Sequence, residues 1–190
     1  MSYLAKILNQ SPVIAAVKSI SDIQKVPEKI NVILILYTDI FYLEKMIDLA
    51  VAKDLLVLLH VDLFKGLSRD EYGIKYLAQK TGIDGIVSTK GYLIKAAKKH
   101  NLIAVQRLFI LDSSAFEKAL RIVNDAQPDF IEVLPGLVYP RIAKKLRRRI
   151  NQPLIAGGMI EKTKDIDDIL AAKAIAISTS NKKLWTYRNY

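Results

Sequence analysis

Several short apolar runs of this 190-residue chain end in polar side chains of the kinds that catalyse reactions or bind anions. His60 and Asp62 end one run, Lys90 ends another, and Glu132 lies in a third. A carboxylate can act as a general acid or base, and a lysine can form a Schiff base with a carbonyl substrate. The same lysine, together with Arg107, can instead hold an anionic ligand. These residues therefore leave an enzyme and a ligand sensor both open.

The sequence gives little support for a metal site, because it contains 2 histidines and no cysteine. His60 and His100 do not have the spacing of paired metal ligands, and a mixed site of His60, Asp62 and Glu132 is not favoured. Without cysteine there is no disulfide, thiolate ligand or thiol nucleophile. We expect no bound metal and no cofactor.

Two adjacent glycines follow the apolar run "PLIA", and three hydroxyl residues end the next run, "AISTS". Parallel barrels often bind phosphate in the loops after their last two strands, through backbone N–H groups. Residues without a Cβ let a ligand approach the backbone closely. The alternative is a tight turn at the glycines, with the serines capping the last helix. The predicted phosphate-binding residues are Gly157, Gly158, Ser178 and Thr179.

A strongly basic segment, "YPRIAKKLRRRIN", precedes the glycine pair. Ile142, Leu146 and Ile150 recur every fourth residue in it and would face the core, which leaves the basic residues on the opposite face. The net charge is +10, and basic side chains on one helix face can neutralise the phosphates of a nucleic acid. A solvated surface would have the same composition. The RNA-binding residues predicted from this segment are Lys144, Lys145, Arg147, Arg148 and Arg149.

The elements that must position these residues alternate along the chain. Amphipathic segments such as "YLEKMIDLAVAKD" and "SAFEKALRIVNDA" separate eight apolar runs that lack period-2 alternation, which is typical of parallel strands buried on both faces. Eight strand–helix units predict an α/β fold, a compact TIM-like (β/α)8 barrel forming a single domain over residues 1–190; an open doubly wound sheet is the alternative. The predicted strands are "PVIAAVK", "NVILILYT", "LLVLLHVD", "GIVSTK", "IAVQRLFI", "FIEVLPG", "PLIAGG" and "AIAISTS".

A barrel would gather the polar strand ends at its C-terminal face, where the sites of such barrels lie. No apolar run approaches the roughly 20 residues needed to span a bilayer, and the N-terminus lacks the pattern of a secretory signal. We therefore expect a cytoplasmic protein without a membrane partner. The ligand pocket predicted from the strand ends comprises His60, Asp62, Thr89, Lys90, Gln106, Arg107 and Glu132.

Six segments of the chain resemble the glycerol uptake operon antiterminator family, in the order expected for it. They are "HVDLFKGLSRDEYGIKYL", "DGIVSTK", "AVQRLFILDSSAFEKAL", "PDFIEVLPG", "PLIAGGMI" and "AISTSNKKLW", and the resemblance runs from about Pro12 to Trp185. It implies a TIM-like barrel that senses glycerol 3-phosphate and, when bound, acts on leader mRNA so that transcription passes a terminator. It thus favours a regulator over an enzyme.

The resemblance is consistent with the pocket and phosphate residues named above, and it implies that Pro135 and Gly136 shape the loop after the sixth strand. The chain departs from the usual barrel pattern in "AAKAIAI", which has no glycine in the turn before the last strand. An aldolase- or isomerase-like barrel enzyme acting on a small phosphorylated substrate remains the alternative. The oligomeric state stays open, with a homo-oligomer among the options.

Overall fold

The computed structural model describes residues 3–187, which form a closed barrel of eight parallel strands. The predicted single domain of residues 1–190 thus includes a few terminal residues outside the described part. The strands are β1 (Val13–Val17), β2 (Val32–Ile35), β3 (Leu56–His60), β4 (Gly85–Ser88), β5 (Ile103–Phe109), β6 (Phe130–Leu134), β7 (Leu154–Gly157) and β8 (Ala176–Thr179). The helices are α1 (Tyr3–Gln10), α2 (Ile20–Gln24), α3 (Leu43–Val51), α4 (Glu71–Lys80), α5 (Gly91–Lys99), α6 (Ser113–Ala126), α7 (Tyr139–Arg147) and α8 (Thr163–Ala171).

Each strand pairs in parallel with the next one along the chain, and β8 pairs with β1 through Val13 and Ile177. This closure confirms the predicted TIM-like barrel, and each of the eight apolar runs forms its strand. Because the strands are parallel, all their C-terminal ends meet at one face of the barrel. No helix between residues 3 and 187 is both long and apolar enough to cross a membrane.

The core has two layers, one inside the barrel and one between the strands and the helices. Alternate strand residues point inward, for example Leu58 of β3, Val105 of β5 and Phe130 of β6. The residues between them, such as Leu59 and Ile131, pack against the helices instead. Both strand faces are therefore buried, which explains why the strands read as continuous apolar runs.

Both ends of the described chain differ from the prediction. The helix α1, which we did not predict, packs Leu4 and Leu8 against the interior layer and closes the N-terminal end of the barrel. After β8 the chain forms a short 3-10 helix, Lys182–Thr186, rather than an α-helix, and Asn181 caps it instead of the serines. Trp185 of this segment is buried, and its Nε1 donates to the carbonyl oxygen of Thr179 at 2.8 Å.

The turn before β8 forms without a glycine because Lys173 takes a left-handed backbone conformation, with φ of 66°. In the left-handed conformation, a residue with a Cβ is destabilised by about 1–2 kcal/mol. We expect Lys173→Gly to raise the free energy of unfolding by up to about 1 kcal/mol, measured by urea denaturation. The neighbouring Ala172 has φ of −78°, so Ala172→Gly should lower stability instead. Equal effects of the two substitutions would contradict this account.

Candidate functional site

Polar side chains replace apolar ones at the C-terminal end of the barrel interior. Each lies two residues beyond an inward-facing apolar residue of its strand, so its side chain also points inward. They are His60 of β3, Arg107 of β5, Glu132 of β6 and Ser178 of β8, and all four are buried. We call these four residues the polar layer.

Glu132 is the centre of the polar layer. Arg107 Nε donates to Glu132 Oε2 at 2.6 Å, and the Ser178 hydroxyl donates to Glu132 Oε1. Buried charges persist only when they are paired and hydrogen-bonded, and both oxygens of this carboxylate have a donor. The hydroxyl proton of Ser178 is committed to Glu132, so Ser178 has no proton left to donate to a phosphate.

The two glycines of "AGG" have different roles. A Cβ on Gly157 would lie 2.8 Å from Glu132 Oε1 and would also overlap the Ser178 hydroxyl, so the polar layer itself requires a glycine there. Gly158 has φ of +76°, a backbone conformation that favours glycine. Only Gly158 of the pair lines the cavity above the polar layer.

That cavity, which we call the mouth pocket, has a volume of about 200 Å³ and opens at the C-terminal face. Thr179 Oγ1 accepts from the Asn181 backbone N–H at 3.1 Å, so its own proton is free to donate to a ligand. Within residues 3–187, only the Nε of Arg107 donates a hydrogen bond, so the other guanidinium N–H groups are available to a ligand. The lining residues are Ala16, Leu36, Arg107, Glu132, Leu134, Gly158, Met159, Ile160, Ser178, Thr179, Ser180 and Asn181.

His60 is buried with neither ring nitrogen hydrogen-bonded. Burial and the nearby Arg107 guanidinium lower its pKa to about 4, against the opposing effect of the Asp62 and Glu132 carboxylates. The imidazole is therefore neutral at pH 7 and adds no positive charge to the polar layer. In the described part of the chain, no three His, Cys, Asp or Glu side chains are placed to hold a metal ion.

This pKa predicts a loss of stability in mild acid. Below pH 6.5 the unfolded chain binds a proton at this histidine, whereas the folded protein does not until about pH 4, so the free energy of unfolding falls as the pH falls through that window. Between pH 6.5 and pH 5 the wild type should lose about 1–2 kcal/mol more than the His60→Leu variant in urea denaturation. Parallel pH profiles for the two proteins would contradict the prediction.

Four of the predicted pocket residues lie at or just after the ends of β3 and β4 and do not line the mouth pocket: His60, Asp62, Thr89 and Lys90. Asp62 accepts hydrogen bonds from the Ser88 hydroxyl at 2.5 Å and from the Thr89 backbone and hydroxyl, both at 2.7 Å. Burial would raise the pKa of Asp62, but these hydrogen bonds lower it overall. Asp62 therefore fixes the turn from β4 into α5, and the side chain of Lys90 in that turn is exposed.

Gln106 does not belong to the pocket, contrary to the prediction. It lies between the inward-facing Val105 and Arg107 positions of β5, so its side chain points out toward the helices. Its Nε2 donates to the carbonyl oxygens of Ser88 and Arg107, each at 3.1 Å. Gln106 thus links β4 and β5 behind the site.

Pro135 and Gly136 lie in the loop after β6, next to the mouth pocket, but neither residue lines it. The Leu134–Pro135 peptide bond is cis. Gly136 is buried, and its N–H donates to the carbonyl oxygen of Gly158 at 2.9 Å. A Cβ on Gly136 would lie 3.0 Å from the side chain of Ile160, so the two loops pack closely.

The predicted RNA-binding residues lie on α7 and in the turn after it, because the helix ends at Arg147; all five are exposed, but several have partners within the protein. Arg147 donates to the carbonyl oxygen of Ala172, Arg149 lies 3.7 Å from Glu117, and Lys145 lies over the Phe116 ring. Between residues 3 and 187, Lys144 and Arg148 have no such partner. Helices of this fold run back from the C-terminal face, so the cluster lies toward the opposite end of the barrel from the mouth pocket.

Comparison with known proteins gives consistent similarities. Residues 13–185 match the family model described as "Glycerol-3-phosphate responsive antiterminator". The Escherichia coli (strain K12) protein YgcP is 36% identical over 184 residues, which is 96% of each chain. The crystal structure of the Listeria monocytogenes glycerol uptake operon antiterminator regulatory protein has a TM-score of 0.89 and 38% identity, covering 94% of this chain and 96% of that one. A Thermotoga maritima glycerol uptake operon antiterminator-related protein gives 0.83 and 32%, covering 92% and 98%.

Proposed function

This chain belongs to the glycerol-3-phosphate responsive antiterminator family, and from that premise we propose that it is a regulator that binds glycerol 3-phosphate in the mouth pocket. In the ligand-bound state it binds the leader mRNA of glycerol utilisation genes and lets transcription pass a terminator. The observation that carries this proposal is the family match, which extends from β1 through Trp185 and so includes every strand that contributes to the pocket.

The mouth pocket supports the ligand half of the proposal. It lies at the loops after β7 and β8, the place where barrels of this kind often hold phosphate. Thr179 and Ser180 offer hydroxyl donors, and Arg107 offers guanidinium N–H groups for the charge-assisted hydrogen bonds that phosphates favour. Gly158 brings the backbone to the pocket wall without a side chain. We assign the phosphate to these residues, with Ser178 and Gly157 acting through Glu132.

The same contacts favour a sensor over the alternative barrel enzyme. Glu132 is held by Arg107 and Ser178, so it is poorly placed to shuttle protons, and the Lys90 side chain is exposed at the rim. No cofactor is needed for a binding function. We propose that the ligand acts by linkage, stabilising the conformation that binds RNA. A homo-oligomer remains a prediction.

Calorimetric titration with glycerol 3-phosphate tests the pocket. Ser180 is exposed and makes no hydrogen bond through its side chain within residues 3–187, so Ser180→Glu should leave folding intact and place a carboxylate beside the phosphate. We expect this variant to lose measurable binding, while Ser180→Gln, of similar size and without charge, keeps most of it. Full binding by Ser180→Glu would place the phosphate elsewhere.

The regulatory half is tested by the affinity for leader RNA with and without saturating glycerol 3-phosphate. Linkage requires that the ligand tighten RNA binding and that RNA tighten ligand binding by the same factor. Glycerol without phosphate serves as the control ligand. Equal RNA affinity in the two conditions would remove the sensor from the proposal.

The predicted RNA residues of α7 can be tested through the salt dependence of binding. Lys144 and Arg148 are the members of the cluster best suited, because replacing them disturbs no contact described above. If this face binds the RNA, the double variant Lys144→Gln/Arg148→Gln reduces the slope of log affinity against log salt by about 1.4 for single-stranded RNA. A control variant, Lys6→Gln/Lys75→Gln, removes two exposed lysines from α1 and α4 and should leave the slope unchanged. An unchanged slope in the α7 variant would exclude this face.

A further inference from the structure

Large exposed aromatic side chains cluster in the loop between β2 and α3, on the same face of the barrel as the mouth pocket. Tyr37 is 52% exposed, Phe41 86% and Tyr42 59%. Single exposed apolar residues are ordinary, but three rings within six residues form a patch of the kind that marks an interaction site.

The backbone of this loop is fixed by hydrogen bonds. The Asp39 carboxylate accepts from the N–H groups of Phe41 and Tyr42 at 2.9 and 3.2 Å. The next loop pairs with it, because Lys65 N–H donates to Thr38 at 3.2 Å and Ile40 N–H donates to Lys65 at 3.1 Å. The exposed rings are thus presented on an ordered backbone, which reduces the entropy lost when a partner binds.

A groove of about 480 Å³ lies next to these rings, at the C-terminal ends of β1, β2 and β3. Ile20, Met46 and Leu63 contribute apolar surface to it, while Tyr37 and Tyr42 contribute aromatic rings. We call this the tyrosine groove. Its lining is mainly apolar at the bottom with polar groups at the edge, as in sites for flat organic groups.

The charge at the edge of the tyrosine groove is positive. Lys18 and Lys65 both line it and are exposed, and neither ammonium group has an acceptor in the chain from residue 3 to 187. Asp39 also lines the groove and contributes one negative charge, whereas Asp22 nearby is paired with Lys182, so the two lysines leave the edge with a net positive charge. Exposed ammonium groups beside exposed aromatic rings suit a partner that carries both negative charges and planar groups. A nucleic acid has both, whereas an apolar protein surface has neither.

We propose that the tyrosine groove binds an unpaired segment of RNA, with bases stacked on Tyr37, Phe41 and Tyr42 and phosphates held by Lys18 and Lys65. This inference rests on the proposed function, since it assigns the surface on which the leader RNA is read. The groove adjoins the mouth pocket. Two residues that line the pocket, Ala16 and Leu36, lie two residues before Lys18 and one residue before Tyr37 of the groove. A ligand that orders these strand ends acts directly on the RNA surface, whereas α7 lies toward the far end of the barrel.

The test measures binding of a fluorescein-labelled oligouridylate of about 12 nucleotides, and of the leader RNA, to the full-length protein. Phe41 and Tyr42 are mostly exposed, so Phe41→Ala/Tyr42→Ala should fold normally, which circular dichroism checks. Because stacking on each ring contributes substantially, we expect both RNAs to bind at least about tenfold more weakly. The control is Tyr3→Ala, which removes a ring that is 70% exposed on α1, at the other end of the barrel, and should have no effect.

Three results would overturn the inference. If the variant binds both RNAs as the wild type does while Lys144→Gln/Arg148→Gln does not, the proposed function stands and the RNA surface is α7. If the variant loses glycerol 3-phosphate binding but keeps RNA binding, the groove belongs to the metabolite site. If the wild type binds neither RNA at any ligand concentration, the proposed function fails together with the inference.

Discussion

Replacing Arg107 by methionine is expected to lower the free energy of unfolding by about 3–5 kcal/mol. The side chain of Glu132 is 2% exposed, so without the guanidinium it would retain a buried negative charge that only Ser178 compensates. Methionine fills most of the volume of the arginine stem, so the effect comes from the unpaired charge more than from a cavity. Urea denaturation at pH 7, followed by circular dichroism, measures it.

The double variant Arg107→Met/Glu132→Leu separates this effect from ligand binding. Exchanging a buried ion pair for apolar side chains is often neutral, so most of the lost stability should return, apart from about 1–3 kcal/mol for the Ser178 hydroxyl that loses its acceptor. If the phosphate binds in the mouth pocket as proposed, this variant should nevertheless bind glycerol 3-phosphate at least about tenfold more weakly, because the proposed site has lost its charged donor. Wild-type ligand affinity in the double variant would show that Arg107 serves the fold alone.

Replacing Trp185 by alanine is expected to lower the free energy of unfolding by about 3–5 kcal/mol. The ring is 1% exposed and packs in the layer between strands and helices, so its loss leaves a large cavity. It also removes the hydrogen bond to the Thr179 carbonyl, which ties the C-terminal segment to the end of β8. We therefore expect weaker binding of glycerol 3-phosphate as well, measured by calorimetry.

The Trp185→Phe variant is the matched control. Phenylalanine keeps most of the apolar volume but cannot donate to Thr179, so about 1 kcal/mol should be lost with this hydrogen bond. Ligand affinity should fall less than in Trp185→Ala, because the segment stays packed. Equal stability of Trp185→Ala and the wild type would mean that the segment contributes nothing to the barrel.

The barrel could be predicted from the sequence because its strands are buried on both faces. Runs such as "NVILILYT" and "LLVLLHVD" cannot be half-exposed strands, and their number and spacing leave few alternatives. The strand ends then follow directly, which is why His60, Arg107 and Glu132 were predicted in one site. The sequence did not show which side chains at the strand ends point into the barrel and which point toward the helices. On β5 these two directions are one residue apart, since Arg107 points inward and Gln106 outward.

The glycine pair shows why the site could be predicted only in part. Gly158 has a left-handed backbone conformation, and the glycine pair in the sequence already indicates a turn of that kind. Gly157 is required by Ser178 and Glu132, which lie 21 and 25 positions away along the chain and meet it only in the closed barrel. The helix α1 could not be predicted for a related reason. It has only eight residues and few apolar positions, and its role in covering the open end of the barrel is visible only in the folded structure.

The position of Trp185 also makes the protein its own optical reporter. It is the only tryptophan in the chain, and its indole N–H is bonded to Thr179, which lines the mouth pocket. We expect a ligand that moves the end of β8 to change the surroundings of the indole, so that the emission wavelength and intensity of Trp185 report occupancy of the pocket without an attached dye. Titrations of metabolites and RNA can therefore be read from the same unlabelled molecule in one cuvette.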